Sequence, residues 1–345
     1  MRAPWMVHGL GVLALGALTW TGTAGPADDA SNTATLSHKA HKKWGFNLPA
    51  ETWTKIDWSI ALHDGLEFPV EQTGPLKLAV DTNGDGKTDK EVKGKGGVLT
   101  LKGTNDSGEK VSYTVRLAPE GKTWKWSAGS TQSGTVEGVK VSLIDMNNNG
   151  RFDDFGADAY TVNGSNYAAF LSRVVNLKGK LYEFEPSADG TSVTTTPYTG
   201  ETATLDVRSE FKAKAKLMNA VFNDGSYSFN FADAKKGLVV PAGNYKLKHG
   251  FVAKGSSNAT IKPGNMKEIR LEAGSTQTLE WGGPITGDFT FNQNGKRVEV
   301  KSDFHFYGTL GEEYADFAPK GGGPKIFIKE KGKDNVLSKG RFGST

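Results

Sequence analysis

The sequence contains no cysteine. This absence excludes disulfide bonds, catalysis by a thiol and every cysteine-ligated metal site, and it removes the lipid-attachment cysteine of a bacterial lipoprotein. If the protein is exported, it must therefore remain folded through the size of its cores or through bound metal.

Long apolar runs are absent except for one near the N-terminus. Arg2 precedes an apolar run from Leu10 to Trp20, and small residues follow, which is typical of a secretory signal peptide. The alternative is a membrane anchor, but this run is shorter than the ~20 residues that span a bilayer. We predict that residues 1–24 are a signal peptide cleaved after Ala24. We also predict no membrane insertion and a secreted, periplasmic or cell-surface location.

Long basic runs and catalytic signatures are also missing. The formal net charge is +4, and no long basic run appears, which argues against nucleic acid as a partner. The sequence contains no H-E-x-x-H, G-x-S-x-G or phosphate-loop pattern. We therefore predict that the protein is not an enzyme.

Turn and strand formers dominate what is present. The 44 glycines and many short alternating runs predict an all-β protein of several β-sandwiches. The alternation Ile56, Trp58, Ile60, Leu62 is typical of a half-buried strand. Only residues 165–172 favour a short helix.

Composition divides the chain into five segments. Polar residues without an apolar period predict a flexible leader that contains the pair His38 and His41, for which metal binding is the less favoured alternative. The predicted segments are the signal peptide 1–24, the leader 25–43, a β-rich domain 44–200, a β-sandwich 201–283 and a C-terminal β-sandwich or β-hairpin domain 284–345.

The first candidate site is DTNGDGKTDKEV, residues 81–92. Oxygen atoms recur there with the spacing of a calcium loop, and Gly86 permits the sharp bend at position 6. Position 12 is Val92 rather than a bidentate glutamate, and both flanks are strand-like. An Asn-Gly turn without metal is the alternative. The predicted ligands are Asp81, Asn83, Asp85, the carbonyl of Lys87, and Asp89.

A second stretch, DMNNNGRFDDFGAD at residues 145–158, repeats this spacing. Both sites lack the closing glutamate, so we expect weak calcium affinity, on the order of 10⁻⁴–10⁻³ M. That range suits an extracellular structural ion better than a cytosolic sensor. The predicted ligands are Asp145, Asn147, Asn149, the carbonyl of Arg151, Asp153, Asp154 and Asp158.

Three segments resemble known proteins. Residues 81–89 resemble the Asp-x-Asn-x-Asp-Gly-x-x-Asp loops of integrin-type β-propeller repeats. Residues 238–282, with their Pro-x-Gly-x-Tyr pattern, resemble transthyretin-like or carboxypeptidase-regulatory-like β domains. The closing segment, with GTLGEEYADFAP at residues 308–319 and GKDNVLSKGRFG at residues 332–343, resembles the final sandwich domain of secreted proteins from planctomycete-type bacteria. The resemblance implies β-sandwiches, export and a binding or structural role, and it carries over no catalytic residues.

Together these features predict a secreted, non-enzymatic, calcium-binding β-scaffold of the cell surface or envelope. Its expected partner is a polysaccharide or an envelope protein. The alternative is an extracellular glycan hydrolase or its carbohydrate-binding accessory, for which aromatic residues would form a sugar-stacking face. Burial in a core is the favoured interpretation of these residues. They are Trp53, Trp58, Trp124, Trp126 and Trp281.

Overall fold

The computed structural model describes residues 30–316 and 325–342. Within them the chain is all-β, as predicted: it forms 29 strands, a single 3₁₀ turn at Phe231–Asp233 and no helix of seven or more residues. No helix in this part of the chain is long and apolar enough to cross a membrane. The predicted signal peptide lies outside the described residues.

Sixteen strands form the first part of the chain, where short alternating runs are separated by glycine-rich turns. They are β1 (Asn32–Ala40), β2 (Thr54–Ile56), β3 (Ser59–Ala61), β4 (Glu67–Gly74), β5 (Lys77–Val80), β6 (Lys90–Lys93), β7 (Gly97–Thr104), β8 (Lys110–Glu120), β9 (Thr123–Ala128), β10 (Ser130–Val136), β11 (Val139–Ile144), β12 (Ala159–Val162), β13 (Ala169–Phe170), β14 (Val174–Leu177), β15 (Lys180–Pro186) and β16 (Ser192–Pro197).

Thirteen strands follow in the second part. They are β17 (Thr202–Asp206), β18 (Lys216–Asn223), β19 (Ser228–Asn230), β20 (Leu238–Pro241), β21 (Gly243–Lys254), β22 (Ser257–Lys262), β23 (Ile269–Leu271), β24 (Thr276–Thr278), β25 (Thr286–Asn294), β26 (Arg297–Tyr307), β27 (Glu313–Ala315), β28 (Lys325–Lys329) and β29 (Val336–Arg341).

The central sheet of the first part has the antiparallel order β13-β12-β11-β10-β1-β16-β15-β14. Strand β1 lies inside it and pairs with β10 through Leu36 and Gly134 and with β16 through Asn32 and Thr195. The prediction of a flexible leader is therefore wrong for Asn32–Ala40. The strand escaped the sequence pattern because Leu36 is its only buried residue, and ladder hydrogen bonds to both neighbours hold it instead.

Two four-stranded sheets, β2-β9-β8-β7 and β3-β4-β5-β6, pack with this sheet around the first core. Trp124 and Trp126 are buried there, as expected of core residues. Trp58 is 74% exposed, although it belongs to the predicted alternating strand. The extended strand is interrupted between β2 and β3, and Trp58 lies in this interruption and faces solvent. The predicted helix at 165–172 is also wrong, since that segment contains β13.

The second core surrounds Trp281, Tyr245 and Phe222. Its sheets are β20-β17-β24, in which β17 and β24 run parallel, and β19-β18-β21-β22-β27-β26-β25, with β23 also paired to β21. Strand β27 pairs with β22, and its Tyr314 is buried in the same core. The sheet thus continues across the boundary predicted at 284.

Polar contacts join the two cores. The Tyr160 hydroxyl donates to the Ser228 carbonyl over 2.9 Å. His249 Nε2 lies 3.0 Å from Asn47 Oδ1, and the Asn219 amide donates to the same oxygen over 3.2 Å. These contacts bring segments distant in sequence together beside the β11–β12 connection, which holds the second candidate site.

Candidate metal loops

The first candidate loop connects β5 to β6 and is organised by Asp81. Its carboxylate is fully buried and accepts three backbone N–H groups: Oδ1 accepts from Asn83 over 3.0 Å and Gly84 over 2.8 Å, and Oδ2 accepts from Gly86 over 2.8 Å. Gly86 has φ +84°, a left-handed conformation that side chains disfavour. The loop therefore winds around one buried anion.

The next two predicted ligands form an outer, exposed part of this loop. Asn83 Oδ1 accepts the Asp85 N–H over 3.0 Å, and Asp85 Oδ1 accepts the Lys87 N–H over 2.9 Å. Both side chains face solvent. Each acceptor oxygen is held in a turn by its own backbone, so the oxygen-bearing groups are ordered along the loop.

Asp89 accepts its hydrogen bonds from Thr82, at the start of the loop. Its Oδ1 accepts the Thr82 N–H over 2.6 Å, and the Thr82 hydroxyl donates to both carboxylate oxygens over 2.9 Å. The Thr82 backbone hydrogen bond lowers the pKa of Asp89. Asp89 therefore closes the base of the loop, and the structure does not gather it with Asp81 and Asp85.

The second candidate loop connects β11 to β12 and repeats this winding. Asp145 Oδ1 accepts from Asn148 over 2.6 Å and Asn149 over 3.3 Å, and its Oδ2 accepts from Gly150 over 2.6 Å. Asn147 Oδ1 accepts the Asn149 N–H and Asn149 Oδ1 accepts the Arg151 N–H, over 3.2 and 2.8 Å. Positions 1, 3, 5 and 6 therefore have the same roles in both loops.

The two loops differ in their surroundings. The hydroxyl of Tyr113, a fully buried group, donates to Asp145 Oδ2 over 2.7 Å. Asn148 is also buried, with its amide donating to the Thr52 carbonyl over 2.9 Å and its Oδ1 accepting the Ala128 N–H over 2.9 Å. The second loop is thus bound into the first core, whereas the first loop lies at the surface.

The remaining acids of the second loop divide into two groups. Asp154 Oδ2 accepts the side-chain amides of Asn147 and Asn149 over 3.0 and 2.6 Å, which brings three predicted ligands together. Asp158 is buried and accepts the Met146 and Asp154 N–H groups over 3.2 and 3.1 Å. Asp153 instead pairs with Arg151 over 2.7 Å.

Two buried carboxylates give the second loop its electrostatics. Burial raises the pKa of Asp145 to about 6. Burial, with the Asp145 charge as the next cause, raises the pKa of Asp158 to about 8. No basic side chain among the described residues forms an ion pair with either group, and a cation would stabilise both ionised forms.

Both loops offer the hard oxygens that calcium prefers, but neither assembles a complete ligand set. Within the described residues no group of three or more His, Asp or Glu side chains is arranged to hold a metal ion. Asn147, Asn149 and Asp154 come nearest to a ligand set, because the side-chain amide N–H groups of both asparagines donate to Asp154 Oδ2. The donor set therefore suits a hard ion that retains several water ligands.

Sequence reasoning missed two partners of these loops, Tyr113 and Thr82. Thr82 lies within the first loop, but its position carries no calcium-ligand signal. Tyr113 is 32 residues from Asp145 in sequence, on strand β8, so nothing in the loop motif indicates it.

The histidines expected in the leader are ordered and contact hydroxyl groups. His38 Nε2 lies 3.1 Å from Thr114 Oγ1, and His41 Nε2 lies 3.1 Å from Thr131 Oγ1. Both positions are consequences of the unexpected strand β1.

No protein-family model, curated protein or solved structure matches this chain.

Proposed function

We propose that the protein is a secreted, non-enzymatic β-scaffold whose two strand connections bind calcium. The observation that carries this proposal is the shared winding of the two loops. In both, the first aspartate accepts backbone N–H groups at positions 4 and 6. A glycine with φ near +84° then directs later oxygens around the same turn. Two copies of one oxygen-rich loop favour a shared ligand over two unrelated turns.

Charge supports calcium in particular. The second loop holds Asp145 and Asp158 in a buried setting without an ion-pair partner among the described residues, and Asp154 lies beside Asn147 and Asn149. Bringing several carboxylates together without a cation is unfavourable. Calcium accepts six to eight oxygen ligands in flexible geometry, including carboxylate, amide and water oxygens.

The ion would act as a structural support. A ligand that binds only the folded state near its own dissociation constant stabilises that state by ~0.4–1.5 kcal/mol per site. That free energy can hold a loop in place but is small for switching a whole fold. Export by a signal peptide, an envelope location and a polysaccharide or protein partner are parts of this proposal. The transthyretin-like resemblance stays a prediction.

Calorimetric titration of the purified protein with calcium tests the proposal. We expect millimolar or tighter binding at each of two sites. Asp81→Asn should remove the first site, and Asp154→Asn should remove the second without emptying a buried position. Asp57→Asn is the matched control, since Asp57 is exposed and pairs only with Lys55 among the described residues. No calcium heat at millimolar concentration would overturn the proposal.

Terbium luminescence gives an independent readout of the second site. Tyr113 touches Asp145 and packs against Trp126 with ring centroids 6.2 Å apart. A lanthanide ion in the second loop should therefore accept energy from these rings when they are excited. Calcium should quench this signal by competition, and Asp154→Asn should abolish it. Equal luminescence from wild type and Asp154→Asn would locate the ion elsewhere.

A further inference from the structure

A polar face of the central sheet lies where β1, β10 and β11 run side by side. Ser37 lies opposite Ser133, and Ser133 lies opposite Ser142, so these three residues share one face. Lys39, two residues after Ser37, and Lys140, two residues before Ser142, project on the same side because strand side chains alternate. This face therefore carries hydroxyls between lysines.

Hydrogen bonds connect the hydroxyls in a row. Thr131 Oγ1 and Ser133 Oγ are 2.8 Å apart, and the Ser133 hydroxyl donates to Ser142 Oγ over 2.9 Å. His41 Nε2 joins the row at Thr131 over 3.1 Å. Each of these groups has a rotatable or exchangeable proton, so the row can offer donors toward an incoming acceptor.

A cavity of about 230 Å³ opens onto this face. The turn at residues 164–166 and the half-buried Phe46 also line it. Outside this turn its polar lining is Lys39, His41, Lys43, Ser133, Lys140 and Ser142. The cavity is larger than a bare tetrahedral anion requires, and Phe46 adds an apolar surface to its lining.

The charge of the cavity is uncompensated. No acidic residue lines it, and ion pairs of lysine in the described part of the chain involve other lysines than Lys39, Lys43 and Lys140. Burial lowers the pKa of His41, and the charges of Lys39, His38 and Lys140 lower it further. A positive potential therefore persists in this cavity without an internal counter-ion.

We propose that this cavity binds a sugar that carries a sulfate or phosphate ester. The ester oxygens would accept charge-assisted hydrogen bonds from the lysines and hydroxyl donors, and Phe46 would contact a sugar ring. A neutral sugar offers no charge for the three lysines, and a bare anion makes no use of the apolar surface of Phe46. This site is separate from the calcium loops and does not depend on their binding metal.

Titration calorimetry with galactose 6-sulfate and glucose 6-phosphate tests this proposal. We expect one site with a dissociation constant on the order of 1 mM or lower. Inorganic sulfate and inorganic phosphate should bind more weakly, and glucose should give no heat. The ratio of the dissociation constants of the two esters distinguishes a sulfated from a phosphorylated ligand. Affinity should fall severalfold between about 20 and about 200 mM salt, since the contacts are ionic.

Variants locate the binding. The double change Lys39→Gln and Lys140→Gln should lower ester affinity about tenfold or more, since two charge-assisted contacts are removed. Lys248→Gln is the matched control, because Lys248 is an exposed strand lysine on β21 in the second sheet system. Unchanged thermal unfolding of both variants would show that they are folded. If the double variant failed to fold, Lys43→Gln would replace it, with a loss of about threefold or more expected.

Three results would overturn the proposal. The first is that neither ester gives heat at a concentration about tenfold above the expected dissociation constant. The second is equal loss of affinity in Lys248→Gln and in the lysine double variant. The third is binding of glucose as tight as that of its phosphate ester. Calcium titration of the same variants would remain unchanged, which separates this result from a failure of the metal proposal.

Discussion

The loops at 81–89 and 145–158 have the same winding and opposite environments. Asp81 and Asp145 accept the same kind of backbone N–H groups, and Gly86 and Gly150 have φ values of +84° and +83°. The first loop faces solvent from Asn83 onward, whereas the second is hydrogen-bonded to the core through Tyr113. Local spacing thus determines the winding of the loop, and the surroundings determine its contribution to stability.

The largest expected difference comes from removing the central carboxylate. Asp145→Ala leaves the Tyr113 hydroxyl and three backbone N–H groups without their acceptor in a buried setting. We therefore expect the free energy of unfolding to fall by about 4 kcal/mol. Asp81→Ala should cost about 2 kcal/mol, because water can reach its exposed loop. Urea unfolding in the presence of chelator measures both. Equal losses would show that the two environments do not differ in effect.

The glycine at position 6 provides the next test. A Cβ at residue 150 would lie 2.9 Å from Leu62 Cβ and 3.1 Å from the His63 ring, whereas a Cβ at residue 86 would meet nothing within 4 Å. Gly150→Ala should therefore cost about 3 kcal/mol, from overlap and left-handed strain together. Gly86→Ala should cost about 1 kcal/mol, from strain alone. Thermal unfolding measures both, and a larger loss for Gly86→Ala would contradict the comparison.

A third test uses pH to loosen the surroundings of the second loop only. Met146 of that loop packs with Ala168, whose carbonyl accepts the Asn219 amide beside His249. Burial lowers the pKa of His249 from 6.5 to about 4. The folded state then binds fewer protons than the unfolded state between these values. His249 thus contributes stability above about pH 6.5 that is lost as pH falls toward 4.

As the pH falls from about 7 to about 5, we expect the free energy of unfolding of wild type to fall by about 2 kcal/mol more than that of His249→Gln. The difference between the two proteins is the relevant quantity, because burial also raises the pKa of Asp145 and of Asp233 to about 6 and that of Asp158 to about 8. Those shifts have the opposite sign and are present in both proteins. As the pH falls, the protection of backbone amides from hydrogen exchange should decrease near Met146 in wild type relative to His249→Gln, and it should not change near Asp81. A parallel increase at both loops would argue that they share one cooperative unit.

The smallest expected effect is that of Tyr113→Phe. It removes one donor to Asp145 and leaves the backbone N–H groups in place, so we expect a loss of about 1 kcal/mol. In an Asp145→Ala background the same change should cost less, because the hydroxyl has already lost its acceptor. Chemical unfolding of the four proteins gives the coupling energy. Additive losses would show that the 2.7 Å contact does not contribute.

The sequence predicts the winding of both loops because that winding is local. The N–H groups that Asp81 and Asp145 accept lie two to five residues ahead in the chain, which is within the span of the motif. The hydrogen-bond partner of Asp89 and the ion-pair partner of Asp153 are not predictable in this way. Thr82 and Arg151 compete for their carboxylates, and the calcium-loop spacing contains no information about competing donors.

The strands were predictable in kind and less so in arrangement. Alternation correctly indicates an all-β chain, since one face of most strands is buried. It fails for β1, which buries a single apolar residue, Leu36, and is held by backbone pairing on both sides. It also fails at Trp58, where an apolar residue marks a break between two short strands rather than a core position.

The position of β1 has a consequence for the order in which the first core forms. Leu36 must pair with Gly134, and Asn32 must pair with Thr195, so formation of the central strand closes loops of about 100 and about 160 residues. Contacts this distant in sequence slow folding. Residues 36–40 can pair with β10 as soon as it has been made, but residues 32–35 must remain unpaired during synthesis until the residues of β16 have been made. A chain ending before Ser192 would lack one of its two neighbours.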